Sequence, residues 1–479
     1  MIPEEEIPLL ARAAGHLDRT ALADPAGEYT YGRLLEASAR VAAALLGREH
    51  DLAGSRVAFL VEPSFGWTTV LWGVWRAGGI AVPLALSHPR PELEYAIDDA
   101  QASILLASPP LVERLRPLTA GWGTRLVRLD QALGSEKTTL PQVAPDRRAM
   151  IIYTSGTTGR PKGVVTTHRQ IQAQITTLIR AWAWTSEDRI LGVLPLHHVH
   201  GIVNVLLCAL WAGAVCEIWP KFEAEAVWRR FVQGGLTLFM AVPTIYARLI
   251  EAFAGFPPDL REQAARSAAR LRLMVSGSAA LPPRILEEWR RITGHVLLER
   301  YGMTEIGMAL SNPLEGERVP GSVGCPLPGV AVRLADENGP TAGPGEIQVK
   351  GPGVFLEYWR RPEETAACFT RDGWFRTGDA AVREGDRYRI LGRQSVDIIK
   401  TGGEKVSALE IEAALLEHPR IKECAVVGLP DPEWGQRVAA AVVLKDEGGL
   451  DLDNLRAWAK ERLAPYKVPA RLLVLAALP

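Results

Sequence analysis

Short apolar runs alternate with helical patterns through most of the chain, and this alternation constrains the fold more than any other feature of the sequence. Residues 56–60 predict a buried strand, residues 67–77 an apolar helix, and residues 80–84 the next strand. The same rhythm returns between residues 190 and 275. Such alternation is typical of an α/β domain with a largely parallel sheet. The sequence shows no repeat of fixed period, which argues against a solenoid.

From about Gly345, short strands separated by turns replace the strand and helix alternation. A chain of 479 residues is long enough for two or three cores. We therefore predict an α/β fold with a large N-terminal domain of mainly parallel sheets and helices plus a β-rich subdomain, followed by a small α+β C-terminal domain. The predicted domains are residues 1–393 and 394–479.

Composition excludes several classes of protein. The chain has 54 Lys and Arg against 55 Asp and Glu, a formal net charge of -1, which argues against a dedicated nucleic-acid binder. Its N-terminus is acidic and lacks the pattern of a signal or transit peptide, so we expect a cytoplasmic protein. The five cysteines form no C-x-x-C pair, which favours packing over disulfides or zinc.

The most apolar long stretch spans residues 202–219. Asn204, Gly213 and Glu217 interrupt it, so we interpret it as a buried helix and strand and expect no membrane association.

The segment after the apolar run 149–153 concentrates groups that bind phosphate. Glycine N–H groups without a nearby Cβ, hydroxyl donors and one cation are what a polyphosphate requires. The spacing of the usual P-loop is absent, and a surface turn rich in Gly and Thr is the alternative interpretation. The phosphate-binding candidates are Thr154, Ser155, Gly156, Thr157, Thr158, Gly159 and Lys162.

Two further segments follow apolar runs. Residues 196–201 contain three histidines, but no neighbouring Asp, Glu or Cys completes a metal site, so a pocket role for one imidazole is favoured over metal binding. Ser278 lies between a predicted strand and a helix, where open α/β sheets bind ligands, although an ordinary N-cap turn is the alternative.

Residues 299–305 bring together two carboxylates, a guanidinium, an aromatic ring and a hydroxyl. Tyr301 could stack on a base, and Glu305 could bind Mg²⁺ through an oxygen. Glu299 and Arg300 could instead form a surface ion pair.

Four motifs, at residues 153–163, 301–305, 374–379 and 392–400, occur in an order that resembles the AMP-forming acyl-CoA synthetase family. These adenylate-forming enzymes activate a carboxylate with ATP and pass it to coenzyme A. The resemblance covers nearly the whole chain. Residues 196–201, 299–300 and 319–329 are most similar to the malonyl-CoA synthetases within this family.

The resemblance implies that ATP and Mg²⁺ bind at the first motifs. The triphosphate would lie along residues 154–162, with Mg²⁺ at Thr154 and Glu305, and Asp379 and Arg393 would bind the ribose. Further predicted ATP contacts are Ser278, Tyr301 and Gly302, and the predicted catalytic residues are Lys162, Arg300, Thr304 and Glu305.

A dicarboxylic substrate retains a second, ionised carboxylate, which needs a partner where water is excluded. Arg300 and Arg248 are the candidates, because a guanidinium binds a carboxylate bidentately. His198 and Ser278 would line the same pocket. A solvated position on a helix is the alternative for Arg248.

The resemblance also implies that the C-terminal domain is mobile and rotates for the second half-reaction. Asp397 is the expected hinge, one position later than the spacing in the family. Coenzyme A, a substrate, would contact Lys400, Gly402, Gly403, Lys405 and Arg437.

One departure concerns the lysine that ends the family pattern, in a Pro-Arg-x-x-x-Gly-Lys segment. The sequence stops at Pro479 without it, and Lys467 belongs to the preceding segment. We expect either a truncated sequence or an impaired adenylation step.

The predicted reaction is ATP-dependent ligation of a small dicarboxylic acid, malonate or methylmalonate, to coenzyme A through an acyl-AMP, with release of AMP and pyrophosphate. The alternatives are a synthetase for another short or medium carboxylate, a catalytically impaired nucleotide- or acyl-binding relative, and a carrier-loading module. The expected partners are small molecules, with no nucleic acid or membrane, and the chain is expected to be a monomer or weak homodimer.

Overall fold

The computed structural model describes residues 7–119, 124–154, 160–394, 397–401, 404–431, 434–446 and 448–478. The chain forms two compact units. The first comprises Met1–Arg318, Pro326–Ala331 and Lys350–Gly373; the second comprises Val319–Cys325, Val332–Val349 and Trp374–Pro479. The domain boundary predicted after Arg393 lies inside the second unit and stays a prediction.

The strands are numbered in chain order. They are β1 (Thr20–Asp24), β2 (Gly27–Thr30), β3 (Arg56–Leu60), β4 (Ile80–Pro83), β5 (Ile104–Ala107), β6 (Arg125–Arg128), β7 (Arg148–Thr154), β8 (Lys162–Thr167), β9 (Arg189–Gly192), β10 (Val215–Ile218), β11 (Leu238–Ala241), β12 (Leu273–Ser276), β13 (Leu298–Met303), β14 (Gly307–Ser311), β15 (Cys325–Pro326), β16 (Ala331–Asp336), β17 (Gly339–Pro340), β18 (Gly345–Lys350), β19 (Glu357–Tyr358), β20 (Phe375–Glu384), β21 (Arg387–Arg393), β22 (Ile398–Thr401), β23 (Glu404–Ser407), β24 (Ile421–Asp431), β25 (Gly435–Leu444) and β26 (Arg471–Leu475).

The α-helices are numbered in the same way, and a π-helix spans His200–Leu207. They are α1 (Pro8–Ala13), α2 (Tyr31–Leu46), α3 (Phe65–Arg76), α4 (Arg90–Ala100), α5 (Val112–Leu115), α6 (Leu129–Leu133), α7 (His168–Ala181), α8 (Cys208–Ala212), α9 (Ala224–Gln233), α10 (Pro243–Ala254), α11 (Pro258–Ala268), α12 (Pro283–Thr293), α13 (Pro362–Ala367), α14 (Ala408–Leu416) and α15 (Leu452–Lys460).

Two mixed sheets organise the first unit. In one, β13, β12, β11, β9, β10 and β1 pair in parallel in that order, with antiparallel β14 and β2 beside β13 and β1. In the other, β7, β4, β3, β5 and β6 are parallel, and β8 and β19 continue the sheet antiparallel beyond β7. The α/β fold predicted from the alternating pattern is therefore confirmed.

Several strands of these sheets are buried along their whole length. Every residue of β4, β11 and β12 is buried, as expected where helices cover both faces of a parallel sheet. Helix α3 packs Trp67, Trp72 and Trp75 into this core. The Trp75 indole N–H donates to the Ala149 carbonyl at 2.8 Å, so this large ring is buried without an unpaired polar atom.

The apolar stretch at residues 202–219 covers most of the π-helix and all of α8 and β10, so the prediction of a buried helix and strand is confirmed. The π-helical turn was not predicted, because apolar content does not distinguish helix types. Over the described part of the chain, the helices are too short or too polar for any of them to traverse a bilayer.

The second unit contains two sheets. One has the order β17-β16-β18-β20-β21, and the other has the order β23-β22-β25-β24, with β26 parallel to β25. Apolar residues of α14 and α15, such as Ile411 and Leu455, pack in one core with residues of β25. This α+β arrangement matches the expectation for the C-terminal region.

Gly73 provides a test of how α2 and α3 pack. A Cβ atom at this position would lie 2.5 Å from Cγ1 of Val41, so the helices approach too closely for a larger residue. We expect Gly73→Ala to lower the free energy of unfolding by about 1–3 kcal/mol, although alanine favours helix by about 1 kcal/mol. Urea denaturation followed by tryptophan fluorescence measures this change.

Gly15→Ala is the matched control, because a Cβ there meets no atom within 4 Å. Unchanged or increased stability of Gly73→Ala would contradict the packing interpretation.

Candidate active site

The site begins where parallel strands of the first unit end. Ser276, the last residue of β12, pairs in register with Glu299 of β13. Gly277 and Ser278 leave β12 at this edge, and Arg300 follows Glu299. The carboxyl ends of parallel strands are the usual ligand-binding edge of such sheets. The register therefore brings Ser278 and Arg300, both predicted from sequence, to the same edge.

Arg300 is a buried cation, with 3% of its surface exposed. Its Nη2 donates to Ser278 Oγ at 3.2 Å, and no carboxylate of the described residues forms an ion pair with it. Glu299 is also buried, which excludes the surface ion pair considered from sequence. Burial lowers the pKa of Arg300 to about 9, so the guanidinium remains charged at neutral pH. A buried charge without a counterion favours an anionic ligand.

Gly277 creates the space that the guanidinium occupies. A Cβ atom at position 277 would lie 2.5 Å from both Cζ and Nε of Arg300. The strand-end glycine is therefore needed for this placement of the charge.

His200 completes this group of residues. Its Nδ1 lies 3.2 Å from Ser278 Oγ, and Ser278 has the left-handed backbone angle φ of 69°. Burial, together with the charge of Arg300, holds the pKa of His200 well below its usual range. In the described residues, Nε2 of His200, Oγ of Ser276 and Nε of Arg300 are buried without a hydrogen-bond partner. Such atoms can bind a polar ligand at little desolvation cost.

The structure distinguishes the histidines that the sequence could not. His198 is exposed, and its ring centroid lies 4.1 Å from that of His197, whereas His200 reaches Ser278. Arg248 lies exposed on α10 and has no contact with Arg300 among the described interactions. Sequence reasoning missed His200, although the run of three imidazoles contained the signal. The binding roles of His198 and Arg248 stay predictions.

The predicted phosphate-binding segment lies between β7 and β8 in the chain. Thr154, the last residue of β7, pairs in register with Lys162, the first residue of β8. Lys162 Nζ lies 2.5 Å from Glu364 Oε2 and 5.2 Å from the ring centre of Tyr358. The hairpin thus holds the predicted lysine beside an acidic residue. Outside the described residues are Ser155, Gly156, Thr157, Thr158 and Gly159.

Glu305 is buried and lies after the half-buried turn residue Thr304, while Tyr301 and Gly302 belong to β13. The Tyr358 hydroxyl donates to Glu305 Oε1 at 2.8 Å. Burial, together with the Glu305 charge, raises the pKa of Tyr358, which keeps this donor protonated. Tyr358 also pairs with Val164 of β8.

A Mg²⁺ ion fits this donor set. Magnesium prefers one or two carboxylates together with substrate phosphates, and Glu305 supplies an oriented carboxylate. Thr154 would add a hydroxyl at the end of β7.

The remaining predicted residues belong to the second unit. Arg393 Nε donates to Asp379 Oδ1 at 2.9 Å across β20 and β21. The Arg393 backbone N–H donates to Asp397 Oδ2, also at 2.9 Å. These bonds connect the predicted ribose pair to the predicted hinge residue.

The predicted coenzyme A residues are less completely described. Arg437 Nε donates to Asp431 Oδ2 at 2.9 Å, and its guanidinium lies 4.9 Å from the ring centre of Trp434. Lys400 and Lys405 pair through their backbones in β22 and β23. Gly402 and Gly403 lie outside the described residues.

Comparison with protein families gives two matches. Residues 9–359 match the AMP-binding enzyme family, and residues 410–479 match the AMP-binding enzyme C-terminal domain.

Several individual proteins are similar to this chain over nearly its whole length. The mitochondrial malonate–CoA ligase of Mus musculus is 48% identical over 99% of this chain and 88% of its own length. The crystal structure of ATP-bound MatB from Rhodopseudomonas palustris has a TM-score of 0.90 at 35% identity, covering 99% of this chain and 96% of that one. A malonyl-CoA ligase ternary product complex with methylmalonyl-CoA and AMP bound has a TM-score of 0.72 at 38% identity, covering 99% of this chain and all of that one.

The lowered pKa of His200 can be tested through the pH dependence of the free energy of unfolding. An unfolded imidazole titrates near pH 6.5, whereas the folded His200 resists protonation. The unfolded state therefore binds more protons as the pH falls below about 6.5, and stability is lost in that range. We expect His200→Gln to reduce the loss of unfolding free energy between pH 7.5 and 5.5 by about 1 kcal/mol, measured by urea denaturation at each pH.

His50→Gln, which removes an exposed imidazole, is the control and should keep the wild-type pH dependence. An unchanged pH dependence in His200→Gln would show that this imidazole protonates freely in the folded state.

Proposed function

The chain belongs to the AMP-binding enzyme family, and from this premise we propose that it ligates malonate to coenzyme A in an ATP-dependent reaction through an acyl-adenylate. The observation that carries the choice of substrate is the buried guanidinium of Arg300, which has no carboxylate partner in the described part of the chain. The similar proteins named malonate–CoA ligase support this proposal.

Malonate is a small acid with two carboxylates. One carboxylate reacts, and the other stays ionised and must be paired where water is excluded. Arg300 supplies the charge, and its unpaired Nε leaves a donor for a carboxylate oxygen. The Nε2 atom of His200 and the hydroxyl of Ser278 provide further polar contacts. An acid with a single carboxylate would leave the guanidinium unpaired.

In the first half-reaction, an oxygen of the malonate carboxylate attacks the α-phosphorus of ATP. The bond from this phosphorus to the bridging oxygen breaks, and pyrophosphate leaves with the electron pair. Catalysis of such a step depends mainly on positioning and neutralisation of charge. Lys162 contributes a positive charge at the phosphates, and Glu305 and Thr154 would hold Mg²⁺, which offsets phosphate charge when bound.

The other predicted residues position the nucleotide in this proposal. Tyr301 flanks the adenine, and the carboxylate of Asp379 accepts hydrogen bonds from the ribose hydroxyls. Arg393, which Asp379 orients, binds the same sugar. Supporting roles at the phosphates and the acyl group belong to Ser278, Gly302 and Thr304.

In the second half-reaction, the thiol of coenzyme A loses its proton and its sulfur attacks the acyl carbon. The bond between this carbon and the AMP oxygen breaks, which gives malonyl-CoA and AMP. Rotation of the C-terminal region about Asp397 would precede this step, as the family resemblance implies. The proposed coenzyme A contacts are Lys400, Gly402, Gly403, Lys405 and Arg437.

Methylmalonate is a second candidate substrate. The similar malonyl-CoA ligase complex contains methylmalonyl-CoA, and methylmalonate keeps both carboxylates.

Formation of the CoA thioester from malonate, methylmalonate and acetate, measured by chromatography, tests the proposed function. Acetate as the best of the three acids would contradict it.

We also propose a cytoplasmic location and a monomeric or weakly dimeric state. The name of the similar mouse protein places that protein in mitochondria. Cell fractionation and size-exclusion chromatography with light scattering would test the two proposals.

Substitution of Arg300 tests the carboxylate site directly. We expect Arg300→Ala to lower kcat/KM for malonate at least 100-fold, because about 3 kcal/mol of charge-assisted hydrogen bonding is lost. The Kd for ATP should change less than threefold. Steady-state kinetics and isothermal titration calorimetry measure the two quantities.

Arg284→Ala removes an exposed guanidinium of α12 and is the control. Arg248→Ala tests the other predicted arginine, and its exposure predicts a much smaller effect than that of Arg300→Ala. Equal losses of ATP affinity and malonate use in Arg300→Ala would contradict the assignment.

A further inference from the structure

Lys162, the proposed phosphate-binding lysine, already has an anionic partner. Its Nζ lies 2.5 Å from Oε2 of Glu364, a residue of α13 that lies outside the phosphate-binding segment. The hydrogen bond from Lys162 holds the pKa of Glu364 below its usual range, so the partner is a carboxylate at neutral pH. A triphosphate that binds Lys162 must therefore compete with this carboxylate.

We propose that Glu364 is the counterion of Lys162 when no nucleotide is bound. When ATP binds, its phosphates replace the Glu364 carboxylate at Lys162, and the carboxylate returns when pyrophosphate leaves. This inference rests on the proposed function, because it assumes that Lys162 binds phosphate. Glu364 acts through Lys162 and is a positioning residue.

Solvent exposure makes the exchange feasible. The side chain of Lys162 is 23% exposed and that of Glu364 is 41% exposed. Ion pairs at such positions are weak, because water screens them and both side chains lose freedom. The pair can therefore hold the lysine without preventing the binding of a more highly charged ligand.

Both partners keep other contacts when the pair opens. The Tyr358 ring lies 5.2 Å from Lys162 Nζ, and this cation–π contact does not involve Glu364. Glu364 has a second cation nearby, because Arg361 Nη1 lies 3.6 Å from its Oε1. The released carboxylate can move towards Arg361.

The surrounding cavity provides space for this movement. It has a volume of about 260 Å³. Its lining residues are Tyr95, Asp99, Arg160, Lys162, Arg361 and Glu364. Asp99 accepts a hydrogen bond from Arg361 at 2.9 Å and holds that guanidinium beside Glu364. Cations therefore remain on the wall of the cavity when Lys162 binds phosphate.

The neighbouring Glu363 provides a matched control position. It has the same charge, lies on the same short helix and is exposed, and no ion pair to it occurs among the described residues. A long-range effect of charge would appear at both positions, whereas exchange with Lys162 requires Glu364.

The test is a charge series at both positions, Glu364→Gln and Glu364→Lys against Glu363→Gln and Glu363→Lys. Isothermal titration calorimetry without any acid substrate gives the Kd for ATP with Mg²⁺ at 50 and 200 mM salt. We expect Glu364→Gln to bind ATP about two- to fivefold more tightly, and Glu364→Lys more tightly still. The Glu363 variants should change by less than 1.5-fold, and the effect of Glu364→Gln should decrease at the higher salt concentration.

Two further measurements separate exchange from a purely structural role. Pyrophosphate should inhibit Glu364→Gln about two- to fivefold more strongly than the wild type, because the returning carboxylate is absent. Glu364→Asp keeps the charge and should restore the wild-type Kd within about twofold. Thermal unfolding of each variant verifies that the fold is retained.

Unchanged or weaker ATP binding in Glu364→Gln would overturn the proposal, as would an equal change in Glu363→Gln. Failure of the proposed function gives a different result, in which the wild type forms no malonyl-CoA while the Glu364 series still alters the Kd for ATP. If the wild type forms malonyl-CoA and the Glu364 variants leave the Kd for ATP unchanged, the exchange at Lys162 is overturned and the proposed function is retained.

Discussion

The buried charge of Arg300 is the constraint on which the candidate site depends. A guanidinium without a carboxylate partner is unfavourable in a protein interior, and folding must supply the energy to hold it there. Ser278 provides one hydrogen bond, and Gly277 provides space that a Cβ atom would fill. The parallel strands β12 and β13 keep these residues at one edge. An anionic ligand would relieve this unfavourable interaction, which supports the proposed binding of a substrate carboxylate at Arg300.

Local pattern was sufficient to predict the main elements of the first unit. The apolar runs at residues 56–60 and 80–84 are strands β3 and β4, and the helix between them is α3, because strand and helix periods are properties of short segments. The order of strands in a sheet is not local. The antiparallel pairing of β8 with β7 and the π-helix that starts at His200 were not predicted, because apolar periodicity identifies neither the pairing partner of a strand nor the type of a helix.

For the site, too, the sequence predicted what a local motif indicates and missed what depends on contacts between distant segments. Arg300 and Glu305 were predicted because they belong to a recognisable motif, and the structure places Arg300 beside Ser278. The choice between His198 and His200 needed the direction of each side chain, which depends on how the chain enters the π-helix. Glu364 was missed because its contact with Lys162 joins segments about 200 residues apart, and nothing in the motif around Lys162 indicates an acidic partner.

Arg300 and Lys162, the two cations of the first unit that are proposed to bind substrate anions, differ in a way that matches their proposed ligands. Arg300 is buried and has no carboxylate partner among the described residues, which suits the proposed binding of a small anion that stays through both half-reactions. Lys162 is partly exposed and paired with Glu364, so it can bind a polyphosphate that must leave after the first half-reaction. An unpaired lysine would bind ATP more tightly, but it would also retain pyrophosphate, because both ligands contact it through phosphate oxygens. A weak internal counterion reduces both affinities together and so favours turnover over tight binding.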